Sequence, residues 1–387
     1  MIPLRYNLRS LLVRKTSNLL ALVGVALVVF VLAAALMLSA GIKKTLGVSA
    51  RADAALVLRK GAEAELSSSI DDPLVSLVSA QPGIKSVDGA PCAVAESVVV
   101  VAVKKIGVEG VTNIQIRGVT PRSNLLRPEL HVIEGRAPHP GSEEVMIGRS
   151  LVGRFEGMRL GQQLEIKKNR KVSVVGVFAA GGSSYESEVW IDHESLRAAF
   201  GRQGSVSSVR LLLDSPSTLA GIRTSIEQDK RLGLEVISEA KYFERISEGT
   251  SLFISTMGSV IAVFFALGAM IGAMITMYGS VAHRQREIGT LRALGFKRRH
   301  ILLAFLIESA LLCLTGGVLG CVAAMAMGFV EISMMNFSSW SEVVFRFDPN
   351  PQTIITSLVF ALLMGTLGGF LPAVRASRVS PAVAMRG

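Results

Sequence analysis

Four stretches of this chain are long, apolar and nearly free of charge, and they restrict its folding more than any other feature. Residues 19–40, 249–282 and 352–374 contain no Asp, Glu, Lys or Arg, and residues 301–330 contain only Glu308. About 20 helical residues cross the hydrocarbon core of a bilayer, where only helices and closed barrels satisfy their own backbone. Transmembrane helices are therefore expected at 19–42, 249–282, 301–330 and 352–374. They leave tails at 1–18 and 375–387, a large loop at 43–248, a short connection at 283–300 and a short loop at 331–351. The fold class is an α+β membrane protein: four transmembrane helices with a large extracytoplasmic α/β domain.

The formal net charge of +11 suits a polyanion-binding protein until the charges are placed. The first tail holds Arg5, Arg9, Arg14 and Lys15. The 283–300 connection holds Arg284, Arg286, Arg292, Lys297, Arg298 and Arg299, and the last tail Arg375, Arg378 and Arg386. These 13 of the 41 basic residues meet one acid, Glu287. With Glu308 set aside, the rest of the chain has 28 basic and 28 acidic residues. Basic residues near span ends mark the cytoplasmic side, so both termini are expected inside and the 43–248 loop outside. The charge is a topology signal, and no nucleic acid is expected as a partner.

The first apolar stretch is longer than the 7–15 residues of a cleavable signal and three spans follow it, which favours a retained helix. Within residues 2–15, Leu4, Leu8, Leu11 and Leu12 share one side. This segment is either an amphipathic helix in the interface or an ordinary basic flank. Cys92, Cys313 and Cys321 give neither a disulfide framework nor a zinc spacing.

The outer loop alternates strand and helix patterns. A strand at 54–58 precedes Asp72-Pro73, an N-cap followed by proline at the first helical position. That helix runs to about Ala80, and a strand follows at 84–87. The same grammar returns with a strand at 208–213, Ser215-Pro216 opening a helix to about Asp229, and a strand at 234–237. Two βαβ units are expected, near 50–108 and 206–240. Between them, near 110–205, lies a β-rich insert with strands at 113–119, 144–147, 163–166, 172–178 and 188–191. Ser238 caps a helix continuing into the second span. Residues 239–282 would make about 66 Å of helix, against about 30 Å of bilayer core, leaving a stalk.

Catalytic patterns are missing from the sequence: no P-loop, no HExxH, no GxSxG. His131, His139, His193, His283 and His300 are scattered, so no metal site is expected, and nothing favours a glycosidase role for Glu143 and Glu144. Glu308 is the one ionisable residue inside a span. It either has a functional or inter-helix role or reaches toward the interface. Gly268 and Gly272, Gly316 and Gly320, and Gly365 and Gly369 are spaced four apart, a pattern that lets helices approach closely.

In the 283–300 connection, Ile288, Leu291 and Leu294 fall on one side of a short helix that Gly295 ends. Such a helix either lies on the inner leaflet or docks on a cytoplasmic partner. The run Arg286-Glu-Ile-Gly-Thr-Leu-Arg-Ala-Leu-Gly295, with Ile301 and Leu306-Ile-Glu-Ser309 after it, resembles the signature of the FtsX/MacB-type ABC transporter permeases. So does Leu371-Pro-Ala-Val-Arg-Ala-Ser-Arg-Val-Ser-Pro381, which leads to Met385-Arg386. Outside, Glu134-Gly-Arg136, Glu144-Val-Met-Ile147, Gly161-Gln-Gln-Leu164 and Val174-Val-Gly-Val-Phe178 are similar to that family's periplasmic core domain.

The resemblance implies a multi-pass permease of the bacterial inner membrane that works as a homo- or heterodimer. Each protomer would couple to a separate cytoplasmic ABC ATPase, which binds ATP and Mg; no cofactor is expected on this chain. Carried over, Arg286, Glu287, Ile288, Gly289, Leu291, Arg292 and Gly295 contact that ATPase, and replacing Ile288 and Leu291 by Asp abolishes its binding. The implied function is mechanotransmission in a MacB-like exporter with a periplasmic adaptor. Two alternatives share the architecture: a lipoprotein-releasing subunit, and FtsX-like signalling to a cell-wall hydrolase.

Overall fold

The apolar stretches form helices because a helix satisfies the backbone within the segment; the one interior proline, Pro372, lies near the end of the last of them. The computed structural model describes residues 15–107 and 109–379. The amphipathic segment at 2–15, all but its last residue, and the end of the last motif, from residue 380, lie outside the described residues. Helix α1 is Lys15–Val48. Strands β1 (Ala54–Arg59) and β2 (Ile70–Asp71), helix α2 (Asp72–Ser79), and strands β3 (Ser86–Val87), β4 (Ala90–Pro91), β5 (Ala93–Lys104) and β6 (Val111–Val119) follow. Next come β7 (His131–Gly135), β8 (Glu144–Gly148), β9 (Gln163–Lys167), β10 (Arg170–Ala179), β11 (Glu188–Asp192) and helix α3 (His193–Phe200). Then follow β12 (Ser205–Val206), β13 (Ser208–Leu212), α4 (Leu219–Gln228), β14 (Leu234–Ser238), α5 (Glu239–His283), α6 (Gln285–Ala293) and α7 (Arg298–Ala326). Strands β15 (Glu331–Asn336) and β16 (Ser341–Arg346) and helix α8 (Pro351–Ser377) complete the order.

Among the described residues, four helices are long and apolar enough to cross a membrane: Leu19–Val48, Glu239–His283, Arg298–Phe329 and Pro351–Ser377. The chain divides into two compact units. The membrane unit holds the described residues up to Ala40, Leu252–Val330, and those from Phe347 onward. The α/β unit holds Gly41–Ser251 and Glu331–Arg346.

In the α/β unit one ten-stranded sheet runs β14-β1-β13-β5-β6-β11-β8-β10-β7, with β9 on β10. Its first four strands form two βαβ units that interleave. Strand β13 pairs antiparallel with both β1 and β5, and β1 pairs antiparallel with β14. Each parallel pair is thus split by a strand of the other unit, as in a ferredoxin-like arrangement. Helices α2 and α4 cover this half through Val78, Ile222 and Ile226. The remaining strands enclose a second core that includes Ile116, Ile147, Phe155, Val174 and Val189.

Several expectations are corrected. The strand closing the first βαβ unit is β5, not 84–87. Ile84 makes only a bridge to Leu213, and β3 pairs with β4 alone. Asp72 is the first helical residue and Asp71 the N-cap, without a side-chain cap bond. The Asp72 carboxylate pairs with Arg197 instead. The loop after the third span carries an antiparallel hairpin, β15–β16. Ser238 does cap α5, its Oγ accepting the Lys241 N–H at 3.3 Å.

Candidate functional site

The connection after α5 is a tight corner. The backbone N–H of Arg284 still bonds the carbonyls of Ser280 and Val281, and helix α6 starts at the next residue. Gly295 ends it at φ +96°, a conformation that suits glycine. Ile288 is 2 % exposed and packs with Met277, Val281, Ile301, Phe305, Ala373 and Ala376, with Leu291 partly buried against the same cluster. Gly289 is buried as well. Arg292 donates to the carbonyl of Ser377 at 2.9 Å.

The seven positions expected at an ATPase contact differ in exposure. Ile288 packs against this chain's own helices, Gly289 is buried, and Leu291 and Arg292 are half-buried. The exposed face consists of Gln285, Arg286, Glu287, Thr290, Ala293, Leu294 and Gly295. Ile288→Asp is expected to cost roughly 3 kcal/mol or more by burying an uncompensated charge. A lower thermal midpoint in detergent is the check, and an unchanged midpoint would contradict this packing.

Glu308 is not a lone charge. Arg284 Nη1 donates to its two carboxylate oxygens at 3.0 and 3.3 Å, and the pair is buried. The guanidinium also lies 5.3 Å from the Phe305 ring centroid and donates to Glu287 at 3.2 Å. Glu308 therefore joins the α5–α6 corner to α7.

The glycine pairs divide. A Cβ at Gly320 would sit 2.5 Å from the Ala26 carbonyl oxygen, and one at Gly316 3.0 Å from that of Leu22, so α1 and α7 need both. Gly365 and Gly369 meet Cys313 and Ser309 at 2.8 and 2.4 Å in the same sense, which brings α8 onto α7. A Cβ at Gly268 or Gly272 would meet nothing within 4 Å among the described residues.

The α/β unit contains a feature that sequence reasoning missed: a buried ionic network on neighbouring strands. Arg117, Arg127 and Arg210 are at most 2 % exposed, and Glu65, Glu96, Glu188 and Glu239 are all buried. Arg127 makes a bidentate pair with Glu96, both bonds 2.7 Å. Arg117 binds Glu188 at 2.8 and 2.9 Å, Glu65 twice at 3.0 Å, and Glu96 at 3.0 Å. Arg210 reaches Glu96 at 3.1 Å, Glu65 at 3.0 Å, and Glu239, the first residue of α5. Neutral donors fill the remaining sites. Gln115 and Trp190 donate to Glu188, Ser208 to Glu65, and the Arg51 N–H to Glu239.

Electrostatics follows from this packing. Burial alone would raise the Glu65 carboxyl, but the Arg117 and Arg210 charges outweigh it and hold it at about 2. Glu96 is held lower in the same way, with Arg127 its strongest partner. Burial pushes the Tyr185 phenol up to about 12, and its ring lies under Arg127 at 4.6 Å. The available signal was a single charge inside an apolar strand, as in Val94-Ala-Glu-Ser-Val98 or Val209-Arg-Leu211. Such a charge requires a buried partner.

Four apolar helices, a folded corner between the second and third, and a large α/β unit define a polytopic membrane protein. Residues 18–229 match the MacB-like periplasmic core domain and residues 259–381 the FtsX-like permease C-terminal domain. The chain therefore belongs to the MacB/FtsX-like permease family of ABC transporters. It is 28 % identical over 225 residues to the uncharacterized ABC transporter permease YknZ of Bacillus subtilis, covering 56 % of this chain and 54 % of that protein. It is 32 % identical over 225 residues to the macrolide export ATP-binding/permease protein MacB of Bartonella henselae, covering 56 % and 33 %. This chain thus spans only about a third to a half of the curated relatives it matches. The extracellular domain of the ABC-type transporter YknZ superposes with a TM-score of 0.36 at 16 % identity, over 48 % of this chain and 100 % of that domain.

Proposed function

We propose that this chain is the permease of a MacB-like exporter, passing ATP-driven motion from a cytoplasmic ATPase chain to an extracytoplasmic domain. The observation that carries the reading is helix α5. It runs from Glu239 to His283 as one 45-residue helix. Its first residue belongs to the buried ionic network, and the residue after its last is Arg284, which holds the corner to Glu308. A continuous helix anchored at both ends by charge pairs transmits displacement without absorbing it in a loop.

The distribution of basic residues supports a cytoplasmic corner and a periplasmic α/β unit in a bacterial inner membrane. ATP and Mg belong to the ATPase, which docks on the exposed face of α6. Separate ATPase and permease chains agree with the name of the Bacillus subtilis relative, whereas the MacB proteins are named as ATP-binding and permease in one. Gly268 and Gly272, open on α5, are suited to close approach of a second permease protomer. A periplasmic adaptor completes the exporter.

The test is co-purification of the ATPase with the tagged chain. Replacing exposed residues, Arg286→Glu with Leu294→Asp, is expected to reduce recovered ATPase by about tenfold or more, since charge reversal at a docking face costs several kcal/mol. Undiminished recovery from a folded double variant would overturn the docking assignment.

A further inference from the structure

We propose that an open groove in the β-rich half of the α/β unit binds an extended, acidic segment of a partner polypeptide, which adds as a strand to the free edge of β5. This goes beyond the coupling role, which does not use the groove. From β5 the sheet continues through β6, β11, β8 and β10 to β9. Strands β5 and β9 then face a groove of about 590 Å³ without pairing to each other.

The backbone phase shows which groups the groove receives. Along β5 the register with β6 is regular from Ser97 to Lys104. The Val98 N–H donates to Ser207 Oγ, and the Lys104 carbonyl accepts from the Glu156 N–H at 3.1 Å. Even-numbered residues therefore direct their N–H and C=O away from β6, because these groups alternate sides along a strand. Val98 and Lys104 are occupied. Between them, Val100 and Ala102 have no backbone partner on that side among the described residues. On β9 the Val174 N–H bonds the Gln162 carbonyl, which places the backbone groups of Glu165 on the groove side as well.

The chain covers the β14 edge and leaves this stretch of β5 open. At β14, the Val236 N–H donates to Glu227 and its carbonyl accepts from Arg223. Side chains of α4 thus close that edge, the usual treatment of an unpaired strand. The groove has an apolar floor of Val101, Val103, Leu164 and Ile166. The lining sets Glu156 and Glu165 against Lys167 and three exposed rim lysines, Lys104, Lys168 and Lys171, a net positive charge. No carboxylate among the described residues lies within ion-pair distance of these three. Main-chain bonding gives such a site affinity and side chains give it selectivity. Here the lysines select carboxylates, and the floor takes every second side chain of an alternating segment.

The test uses the full chain in lipid nanodiscs and a fluorescent seven-residue peptide alternating Val and Glu. Its control is the same peptide with alternate backbone nitrogens methylated, which keeps the charge and removes strand donors. Saturable binding is expected, weakened about tenfold by methylation as two backbone hydrogen bonds are lost. Lys104→Glu with Lys171→Glu is expected to weaken it by a similar factor or more. Absence of saturable binding would overturn the proposal. Equal binding of both peptides would overturn it too, leaving a charged patch only. The methylation comparison is made on the unaltered chain, so misfolding of the variant does not affect it. Ala102→Pro is the matching change in the protein, because it removes a donor that no internal ladder uses.

Discussion

Glu96→Ala is expected to destabilise the α/β unit by about 3–5 kcal/mol, the cost of removing one partner from a buried ion pair. Glu96 is fully buried and contacts all three arginines of the network. Without it, both bidentate bonds of Arg127 disappear, and the guanidinium retains only a 3.4 Å contact to the Ser123 carbonyl and the aromatic faces of Tyr185 and Trp190. Removing the exposed pair Arg346–Glu331 should cost less than about 1 kcal/mol. Trp190, buried beside Glu188, reports the loss as a fluorescence change during urea unfolding of the full chain in detergent. A midpoint for Glu96→Ala within error of the parent would mean that the network does not hold the unit together.

The same network sets an acid limit. Glu65 and Glu96 lie below the ordinary 4.5 in the folded chain, so the unfolded chain binds protons more readily. Their contribution to stability is complete above about pH 4.5 and declines as the pH falls below it; the part of Glu65 is lost once it protonates near 2, and that of Glu96 at lower pH still. Acid unfolding should therefore begin below pH 4.5, and Glu96→Ala should flatten that decline.

Local pattern made much of this architecture legible. The four spans follow from charge-free length, and the strands from short runs bounded by turn residues. Strand β5 was less legible because Val98–Val103 is a continuous apolar run without alternation. Such runs do not separate strand from helix by period. The hairpin β15–β16 depends on docking: Glu342 is held by Arg154, Lys105 and Thr112, more than 180 residues away in sequence. Helix α6 shows a different limit. An apolar stripe identifies a buried face but not what buries it, and Ile288 is covered by this chain's own helices rather than a partner. Glu65, Arg117 and Arg210 are remote in sequence, and only the interleaved strand order brings them together.

The second large effect is expected at the α5–α6 corner. Arg284→Ala should destabilise the membrane unit by about 3 kcal/mol or more, because it removes a guanidinium from a carboxylate that sits within a span. Arg284 and Glu308 are both buried, and the arginine also packs on Phe305. The lysine variant should recover little of this, since an ammonium cannot reproduce a planar guanidinium on an aromatic face. Exchanging the charges, Arg284→Glu with Glu308→Arg, should recover more than Arg284→Lys if pairing dominates. It should recover nothing if the corner depends on the Phe305 contact. Thermal midpoints of the parent, Arg284→Glu, Glu308→Arg and the exchanged pair in one detergent give the coupling energy of a double-mutant cycle, and Arg284→Lys measured beside them separates these cases. A coupling energy near zero would show that Glu308 is held by something other than Arg284. A value of about 1.5 kcal/mol or more would make the pair the joint between α5 and the helices that pack on α6.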